Sequence, residues 1–272
     1  MNFQQKIEKI IKKNKSLLCI GLDSAINSLP KFLLKEKYPQ FIFNKTLIES
    51  TFDLVCAYKP NSAFYEERGE QGLKELQMTC DFLQKNYPAI PIILDAKRGD
   101  IGNTSQAYVN YCFDYLKADA VTLSPYLGKD SLDPFLNQKD KGLIVLTKTS
   151  NPGSSDFQDL IIKGKPLYEI IAETIVKKWN KNKNCLLVVG ATYPKELARI
   201  RKIAGDMYFL VPGIGTQNAD LKLVLQAGKN SHGRGLIINS SRSIIFASPD
   251  KDFAAKARAE ANKLRELINK EL

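Results

Sequence analysis

The chain has 272 residues and a formal net charge of +11, and 44% of its residues are hydrophobic while 25% are charged. This composition predicts a folded globular protein with a large core and argues against an intrinsically disordered chain. No apolar run is long enough to span a membrane, and a single histidine, His232, nearly excludes a serine triad or a histidine-based metal site.

Eight short apolar runs follow an amphipathic N-terminal segment and alternate with helix-like segments. The predicted strands are 17–22, 54–59, 90–97, 119–124, 142–148, 185–190, 207–212 and 235–240. The predicted helices are 41–52, 70–86, 103–117, 130–137, 167–181, 194–204, 218–227 and 251–270. Continuous apolar runs indicate strands covered on both faces, and regular alternation with helices indicates parallel βαβ units.

Eight such units in a chain of this length predict an α/β protein with the (β/α)8 TIM-barrel fold. We expect one domain, residues 1–272, with an additional N-terminal helix. A doubly wound open sheet is the alternative, but its phosphate-binding motifs are missing: "PGIG" at 212–215 does not complete G-x-G-x-x-G, and no P-loop motif occurs.

Polar residues follow most of the predicted strands, at the end where parallel β/α barrels carry their active sites. We therefore expect these residues to meet on one face of the barrel. The polar residues are Asp23, Lys59, Asn61, Asp95, Lys97, Asp100, Lys148, Thr149, Ser150, Gln217, Ser240, Ser241 and Arg242, and Pro212 and Gly213 follow the seventh predicted strand at the same end.

Asp95 and Lys97 are two positions apart, and side chains at that spacing in a strand point the same way. Both are predicted to face the barrel mouth, with Ala96 turned towards the helices. A stabilising ion pair is the alternative interpretation. It is weakened by Asp23 and Lys59, which arrive at the same rim, because a desolvated network of four charges is costly unless it has a function.

The stretch "RGDIGNT" at 98–104 enters the next predicted helix. Asn103 or Thr104 is a candidate cap for that helix, whereas Asp100 comes too early to be one. At the last strand, backbone N–H groups at 240–243 and the planar fork of Arg242 fit a phosphate-binding site. A surface arginine is the alternative for Arg242, and Arg98 receives no role.

These motifs resemble the orotidine 5'-phosphate decarboxylase family. The likeness rests on D-x-K-x-x-D-I-G-x-T within "LDAKRGDIGNT" and on an ordered series of further motifs, and the wording of "KTSNPG" and "VVGAT" is closer to the longer, second sequence class of the family. The series is "LCIGLDS", "AYKPNSAFYE", "TKTSNPGSSDFQ", "VVGATYP", "VPGIGTQ" and "INSSRS".

The resemblance implies decarboxylation of orotidine 5'-phosphate (OMP) to uridine 5'-phosphate (UMP), the last step of UMP biosynthesis, with neither cofactor nor metal. It implies a homodimer in which Asp100, Ile101 and Thr104 enter the neighbouring site. The implied catalytic residues are Lys59, Asp95, Lys97 and Asp100, with Lys97 protonating C6. The implied substrate contacts are Asp23 and Asn61 for the ribose, Ser150 for the pyrimidine, Gln217 and Arg242 for the phosphate, and Pro212 beside the leaving carboxylate, with Ile101 and Thr104 from the partner.

Three alternatives remain from the residues alone. A sugar-phosphate lyase of the same superfamily shares D-x-K-x-x-D but uses Mg²⁺, and a Schiff-base aldolase would use Lys148 or Lys97 as its amine. A nucleic-acid-binding protein would need clustered basic residues with stacking aromatics. The lysine-rich stretches "KIEKIIKKNK" and "IVKKWNKNKN" instead read as solvated helix faces, so no nucleic-acid partner is expected.

The five cysteines are scattered and form no C-x-x-C pair, which predicts reduced thiols in a cytoplasmic protein. No membrane partner is expected, because no apolar run reaches the length of a membrane span, and the N-terminal segment lacks the apolar core of a signal peptide. His232 lies in "GKNSHGRG", where a surface loop is expected.

Overall fold

The computed structural model describes residues 1–214 and 220–272. Its main sheet has eight parallel strands in the order β2-β1-β8-β7-β6-β5-β4-β3. Within the described ranges the two outer strands, β2 and β3, meet at two isolated parallel bridges, Tyr58 with Ile92 and Asn61 with Asp95, which close the barrel. The strands are β1 Leu18–Leu22, β2 Ala57–Pro60, β3 Ile93–Arg98, β4 Ala120–Leu123, β5 Gly142–Lys148, β6 Cys185–Val189, β7 Phe209–Pro212 and β8 Leu236–Ser240.

Helices alternate with these strands. They are α1 Phe3–Asn14, α2 Pro39–Thr51, α3 Ala63–Glu66, α4 Gly69–Asn86, α5 Gly102–Val109, α6 Lys129–Leu136, α7 Leu167–Thr174, α8 Pro194–Ala204, α9 Leu221–Gly228, α10 Arg242–Ile245 and α11 Phe253–Glu271. Shorter elements are 3₁₀ turns at Ile26–Ser28, Lys31–Lys35 and Pro152–Asp156, π-helical turns at Asn110–Tyr115 and Ile175–Trp179, and a hairpin of Ile161–Ile162 with Lys165–Pro166. Across both described ranges, no helix is at once long and apolar enough to cross a membrane.

The barrel prediction is confirmed, and each predicted strand overlaps an observed one. The strands are buried along most of their length, which is why they read as continuous apolar runs rather than alternating ones. Part of the predicted helix 218–227 falls outside the described residues, and α9 begins at Leu221. The lysine-rich helix faces are exposed at Lys12, Lys13, Lys177 and Lys178, and His232 lies on an exposed loop, as expected.

Helix α1 is the additional N-terminal helix that was predicted. Asn2 caps it reciprocally with Gln5: the Asn2 side chain accepts the Gln5 N–H at 2.9 Å, and the Gln5 side chain accepts the Asn2 N–H at 3.2 Å. Its apolar face is buried, and a Cβ at Gly142, the first residue of β5, would lie 2.5 Å from the Phe3 ring. Helix α1 therefore packs at the amino-terminal end of the barrel and leaves the carboxyl end open.

Candidate active site

The Asp95 carboxylate lies between two ammonium groups at the carboxyl end of the barrel. Its Oδ2 accepts a hydrogen bond from Lys59 Nζ at 2.8 Å, and its Oδ1 accepts one from Lys97 Nζ at 2.7 Å. Asp23 Oδ1 lies 3.8 Å from Lys59 Nζ. The four charges predicted from strands β1, β2 and β3 therefore do converge on one array.

Burial and charge act against each other in this array. Burial disfavours the Asp95 carboxylate, but the Lys59 and Lys97 ammonium groups outweigh burial and hold the pKa of Asp95 well below its usual range. Burial likewise disfavours the Lys59 ammonium, yet the charges of Asp95 and Asp23 raise the pKa of Lys59 above its usual value. Asp95 and Lys59 are consequently both charged at neutral pH.

Lys97 reaches Asp95 by a different backbone path from the extended one that was predicted. Its φ is +47°, in the left-handed region, and the register between β3 and β4 shifts between Leu94 and Arg98. Thr122 of β4 holds this irregular turn: its Oγ1 accepts the Lys97 N–H at 2.9 Å and donates to Asp95 Oδ1 at 2.9 Å. The prediction that both side chains face the mouth is confirmed, but regular strand alternation is not the cause.

Two adjoining cavities open beside the array. The larger, about 450 Å³, contains Lys59, Asp95 and Lys97 and is further lined by apolar strand residues and by the segment that follows β5. The smaller, about 130 Å³, lies where β7 and β8 end. The residues shared by both cavities are Ser150 and Pro212.

The smaller cavity combines an arginine with buried oxygen atoms that accept no hydrogen bond from the described residues. Arg242 opens the short helix α10 and lines the cavity with Gly213 and Ser241. Asp23 Oδ1 and Asn239 Oδ1 are buried and find no hydrogen-bond partner among the described residues. Such acceptors are costly to bury unless a ligand supplies donors, and ribose hydroxyls are donors of this kind.

Asn61 and Gln217 complete the list of predicted substrate contacts on this chain. Asn61 forms the closing bridge with Asp95, and its side-chain Oδ1 accepts the Ala63 N–H at 3.2 Å. Gln217 lies outside the described residues.

Asp100, Ile101 and Thr104 are not among the residues that line either cavity. Ile101 is 61% exposed, Thr104 is exposed, and Asp100 Oδ1 accepts the neighbouring Ile101 N–H at 2.7 Å. The expected capping of the helix by Asn103 or Thr104 is wrong. Helix α5 begins at Gly102, with Ile101 at the N-cap position and no side-chain cap, because the chain turns into the helix at Gly102, where φ is +52°.

Arg98, which had no predicted role, links the end of β3 to helices α3 and α5. Its guanidinium forms an ion pair with Glu66 of α3 and lies 4.8 Å from the centroid of the Tyr108 ring. Arg98 therefore points towards α3 and α5 and stabilises the turn that carries Lys97.

Sequence reasoning missed several residues of the site. Thr122 looked like an ordinary strand residue, and its contact with Asp95 spans 27 positions. Asn239 is adjacent to the predicted phosphate loop, and its side chain was assigned no role from the sequence. Asn151 and Gln158 line the larger cavity together with Thr149, which was expected at this end of the barrel, and the polar run "TKTSNPGSSDFQ" was the available signal for the first two.

Lys148 does not have the geometry of a Schiff-base amine. Its Nζ is buried and donates to Ser154 Oγ at 3.1 Å and to Asp159 Oδ1 at 2.8 Å. Among the described residues, no cluster of three or more histidine, cysteine or acidic side chains is arranged to hold a metal ion.

A parallel β/α barrel with a Lys-Asp-Lys array at the carboxyl ends of its strands, next to a small cavity lined by an arginine, has the arrangement of a TIM-barrel enzyme. Residues 16–257 match the family model described as the orotidine 5'-phosphate decarboxylase / HUMPS family. The chain belongs to this family.

The similarity to individual relatives extends over almost the whole chain. The chain is 48% identical to the orotidine 5'-phosphate decarboxylase of Cellvibrio japonicus, over 99% of this chain and 98% of that protein. It superposes on the structure of Leishmania donovani OMP decarboxylase with a TM-score of 0.88 and 43% identity, covering 100% of this chain and 99% of that one. The structure of Leishmania donovani UMP synthase gives a TM-score of 0.90 at 43% identity, and this chain spans only 56% of it.

Proposed function

We propose that this protein decarboxylates orotidine 5'-phosphate to uridine 5'-phosphate, the last step of UMP biosynthesis, and that it uses neither metal nor cofactor. The observation that carries the proposal is the Asp95 carboxylate held between Lys59 and Lys97 at 2.8 and 2.7 Å, next to a cavity containing Arg242. The family model names HUMPS proteins as well, so the family alone does not choose the reaction. The relatives named as OMP decarboxylases favour decarboxylation.

In this reaction the bond between C6 and the carboxylate breaks, carbon dioxide leaves, and the electron pair stays on C6. No adjacent carbonyl can delocalise that pair as an enolate, so fixed charges must stabilise it. Lys97 provides the positive charge and then the proton that C6 receives. Asp95 holds the Lys97 ammonium in place, and Lys59 keeps Asp95 ionised in a buried setting.

The two cavities suggest how the substrate is oriented. The phosphate would bind Arg242 and Gln217 at the end of β7 and β8, while Asp23 and Asn61 would bind the ribose. Ser150 would contact the pyrimidine, and Pro212 would lie beside the leaving carboxylate. Two facts support this order: Ser150 and Pro212 line both cavities, and the buried Asp23 Oδ1 has no hydrogen-bond partner in the described part of the chain.

We also propose a homodimer with shared active sites, in which Asp100, Ile101 and Thr104 enter the partner's site. Apolar side chains exposed near the carboxyl ends of β3 and β4 support such a contact: Ile101 follows β3, and Tyr126 and Leu127 follow β4. The partner's Asp100 would then supply a second carboxylate to Lys97.

Residues 1–272 would act as one domain in the cytoplasm. One hydrophobic cluster of the described residues runs from Phe3 in α1 to Ile268 in α11, which supports a single folding unit. All five cysteines are buried free thiols, which suits a reducing compartment.

The decisive experiment is a decarboxylation assay on the purified, EDTA-treated protein with orotidine 5'-phosphate, followed by the fall in ultraviolet absorbance as uridine 5'-phosphate forms. Turnover in EDTA is expected. No turnover would overturn the proposal, and turnover only after Mg²⁺ is restored would favour the metal-dependent lyase alternative.

Variants then test the assigned chemistry. Lys97→Ala is expected to lose product formation while it still binds uridine 5'-phosphate, and Arg242→Ala is expected to lose most of its kcat/KM. Lys129→Ala is the matched control, because Lys129 pairs with Asp133 on the exposed side of α6, outside both cavities, and its loss should leave turnover unchanged. Substantial activity in Lys97→Ala would remove Lys97 from the mechanism.

A further inference from the structure

Lys148, the last residue of β5, is a buried cation that the proposed reaction does not use. Its side chain is only 1% exposed. The ammonium donates to Ser154 Oγ at 3.1 Å and to Asp159 Oδ1 at 2.8 Å, and it lies 4.6 Å from the centroid of the Tyr193 ring. Both of its hydrogen-bond acceptors belong to the segment that immediately follows β5.

That segment, residues 149–159, folds back on itself beside the larger cavity; we call it the β5 loop. Its centre is the 3₁₀ turn Pro152–Asp156. Its ends are tied by Gln158, whose Oε1 accepts the Thr149 N–H at 2.9 Å and whose Nε2 donates to Thr149 Oγ1 at 2.9 Å. The loop presents Ser150 and Asn151 to the cavity.

The segment after β6 supports Ser150 from the other side. Gly190 lies so close that a Cβ at that position would be 2.8 Å from the N, Cα and Cβ atoms of Ser150. Thr192 Oγ1 donates to the Ser150 carbonyl at 3.4 Å. Ser150, near the start of the β5 loop, is thus supported by the segment after β6, and Lys148 binds the later part of the same loop.

The contact between Lys148 and the β5 loop includes an ion pair as well as hydrogen bonds. In the described structure its ion-pair partner is Asp159, a residue of the β5 loop. If the loop moved away, a buried ammonium would lose both its counter-charge and its hydrogen bonds, which is among the costliest changes a protein interior can undergo. The ion pair and the two hydrogen bonds therefore favour the loop arrangement described here.

We infer that Lys148 is a positioning residue that holds the β5 loop in this arrangement, so that the Ser150 hydroxyl is fixed at the place where the pyrimidine base binds. The inference rests on the proposed contact between Ser150 and the base. It gives Lys148 a role in recognising the base and no role in recognising the phosphate.

Binding of two ligands separates this role from general stability. Uridine 5'-phosphate carries the base, whereas ribose 5-phosphate lacks it. In Lys148→Met, the affinity for uridine 5'-phosphate is expected to fall by about tenfold or more, as when one positioned hydrogen bond is lost, while the affinity for ribose 5-phosphate stays unchanged. Ser150→Ala, measured in parallel, should show the same pattern.

Lys165→Met serves as the matched control, because Lys165 pairs with Glu173 outside both cavities and should change neither affinity. If Lys148→Met does not fold by circular dichroism, Asp159→Asn and Ser154→Ala decide the question. Each removes one contact between Lys148 and the β5 loop, and each should lower the affinity for uridine 5'-phosphate while the affinity for ribose 5-phosphate stays unchanged.

The outcomes are distinguishable. If Ser150→Ala weakens the binding of uridine 5'-phosphate but Lys148→Met, Asp159→Asn and Ser154→Ala do not, the role of Lys148 is overturned and that of Ser150 stands. If these three variants lower the affinity for uridine 5'-phosphate and for ribose 5-phosphate equally, Lys148 has a general structural role and the inference is overturned. If Ser150→Ala leaves uridine 5'-phosphate unaffected, the proposed base contact fails and the inference fails with it.

Discussion

Lys97 combines a central place in the charged array with an unfavourable backbone conformation. A non-glycine residue at a φ of +47° costs on the order of 1–2 kcal/mol relative to an extended one. Thr122 offsets that cost, because its hydroxyl accepts the Lys97 N–H and donates to the Asp95 carboxylate. One hydroxyl therefore sets both the backbone of Lys97 and the orientation of its counter-ion.

Replacing Thr122 with valine removes this hydroxyl while keeping the side-chain shape. We expect Thr122→Val to lower kcat by roughly 10- to 100-fold, because small displacements of reacting groups have effects of that size. KM should change much less, since Thr122 is not proposed to bind the substrate. Steady-state kinetics would measure the split, and Thr122→Ser, which keeps the hydroxyl, should stay close to wild type. Equal losses in both variants would contradict the role of the hydroxyl.

The ionised Asp95 carboxylate should make the free energy of unfolding depend on pH. Its pKa is lowered on folding, so its stabilising contribution is present above the ordinary pKa of an aspartate, about 4, and is lost as the pH falls through the lower folded value. Removing one partner of a buried ion pair costs about 3–5 kcal/mol. Asp95→Asn should therefore reduce the free energy of unfolding by about that much at neutral pH.

Urea unfolding of the wild type and of Asp95→Asn at several pH values would measure this difference. It should be constant between about pH 5 and 8 and should shrink below about pH 4. A difference that instead stayed constant from about pH 8 down to about pH 3 would show that Asp95 has no depressed pKa in the folded protein.

At the scale of elements, the strands and the barrel were predictable from the sequence, because burial on both faces leaves a continuous apolar signature. The turn at the end of β3 was not, because the register shift opposite β4 arises from pairing between segments that are distant in the chain. The start of α5 was misjudged for a related reason: the positive φ of Gly102, and not a side-chain cap, sets it. Lys148 was noticed as a possible amine, but its partners could be identified only once the β5 loop was folded.

The contact between the ends of β5 and β6 allows a prediction with a small substitution. Gly190→Ala adds a methyl group 2.8 Å from backbone atoms of Ser150, so Ser150 must shift. We expect KM for orotidine 5'-phosphate to rise by about tenfold, the loss typical of one displaced contact. Gly153→Ala is the control within the β5 loop, because the atoms nearest to its added methyl group are 3.6 Å away. An unchanged KM in Gly190→Ala would show that the position of Ser150 is not critical.

At the scale of the whole molecule, the proposed dimer predicts that two inactive variants restore each other. In a dimer of Lys97→Ala subunits, both active sites lack Lys97. In a dimer of Asp100→Ala subunits, both active sites lack the carboxylate that the partner subunit should supply. In a mixed dimer, one site lacks both groups and the other has both. After subunit exchange in an equal mixture, about a quarter of the wild-type activity should appear, since half of the dimers are mixed and each has one complete site.

The activity of the equal mixture, compared with each variant alone, is the measurement. A mixture of Lys97→Ala with Lys59→Ala provides the control: both residues belong to the same subunit's array, so every mixed dimer lacks one of them at each site. Activity in the control mixture, or its absence from the first mixture, would contradict the sharing of Asp100.

The closure of the barrel between β2 and β3 has a consequence for amide hydrogen exchange. In the described chain these strands are joined by two isolated bridges and by few backbone hydrogen bonds, among them Ser62 N–H to Asp95 O at 3.2 Å. The Lys59–Asp95 pair crosses the same boundary through side chains. Neutralising either residue should therefore speed deuterium uptake at 57–62 and 93–98 and leave the amides of β6 and β7 protected. The charges proposed for catalysis would also stabilise the closed barrel at a junction with few backbone hydrogen bonds.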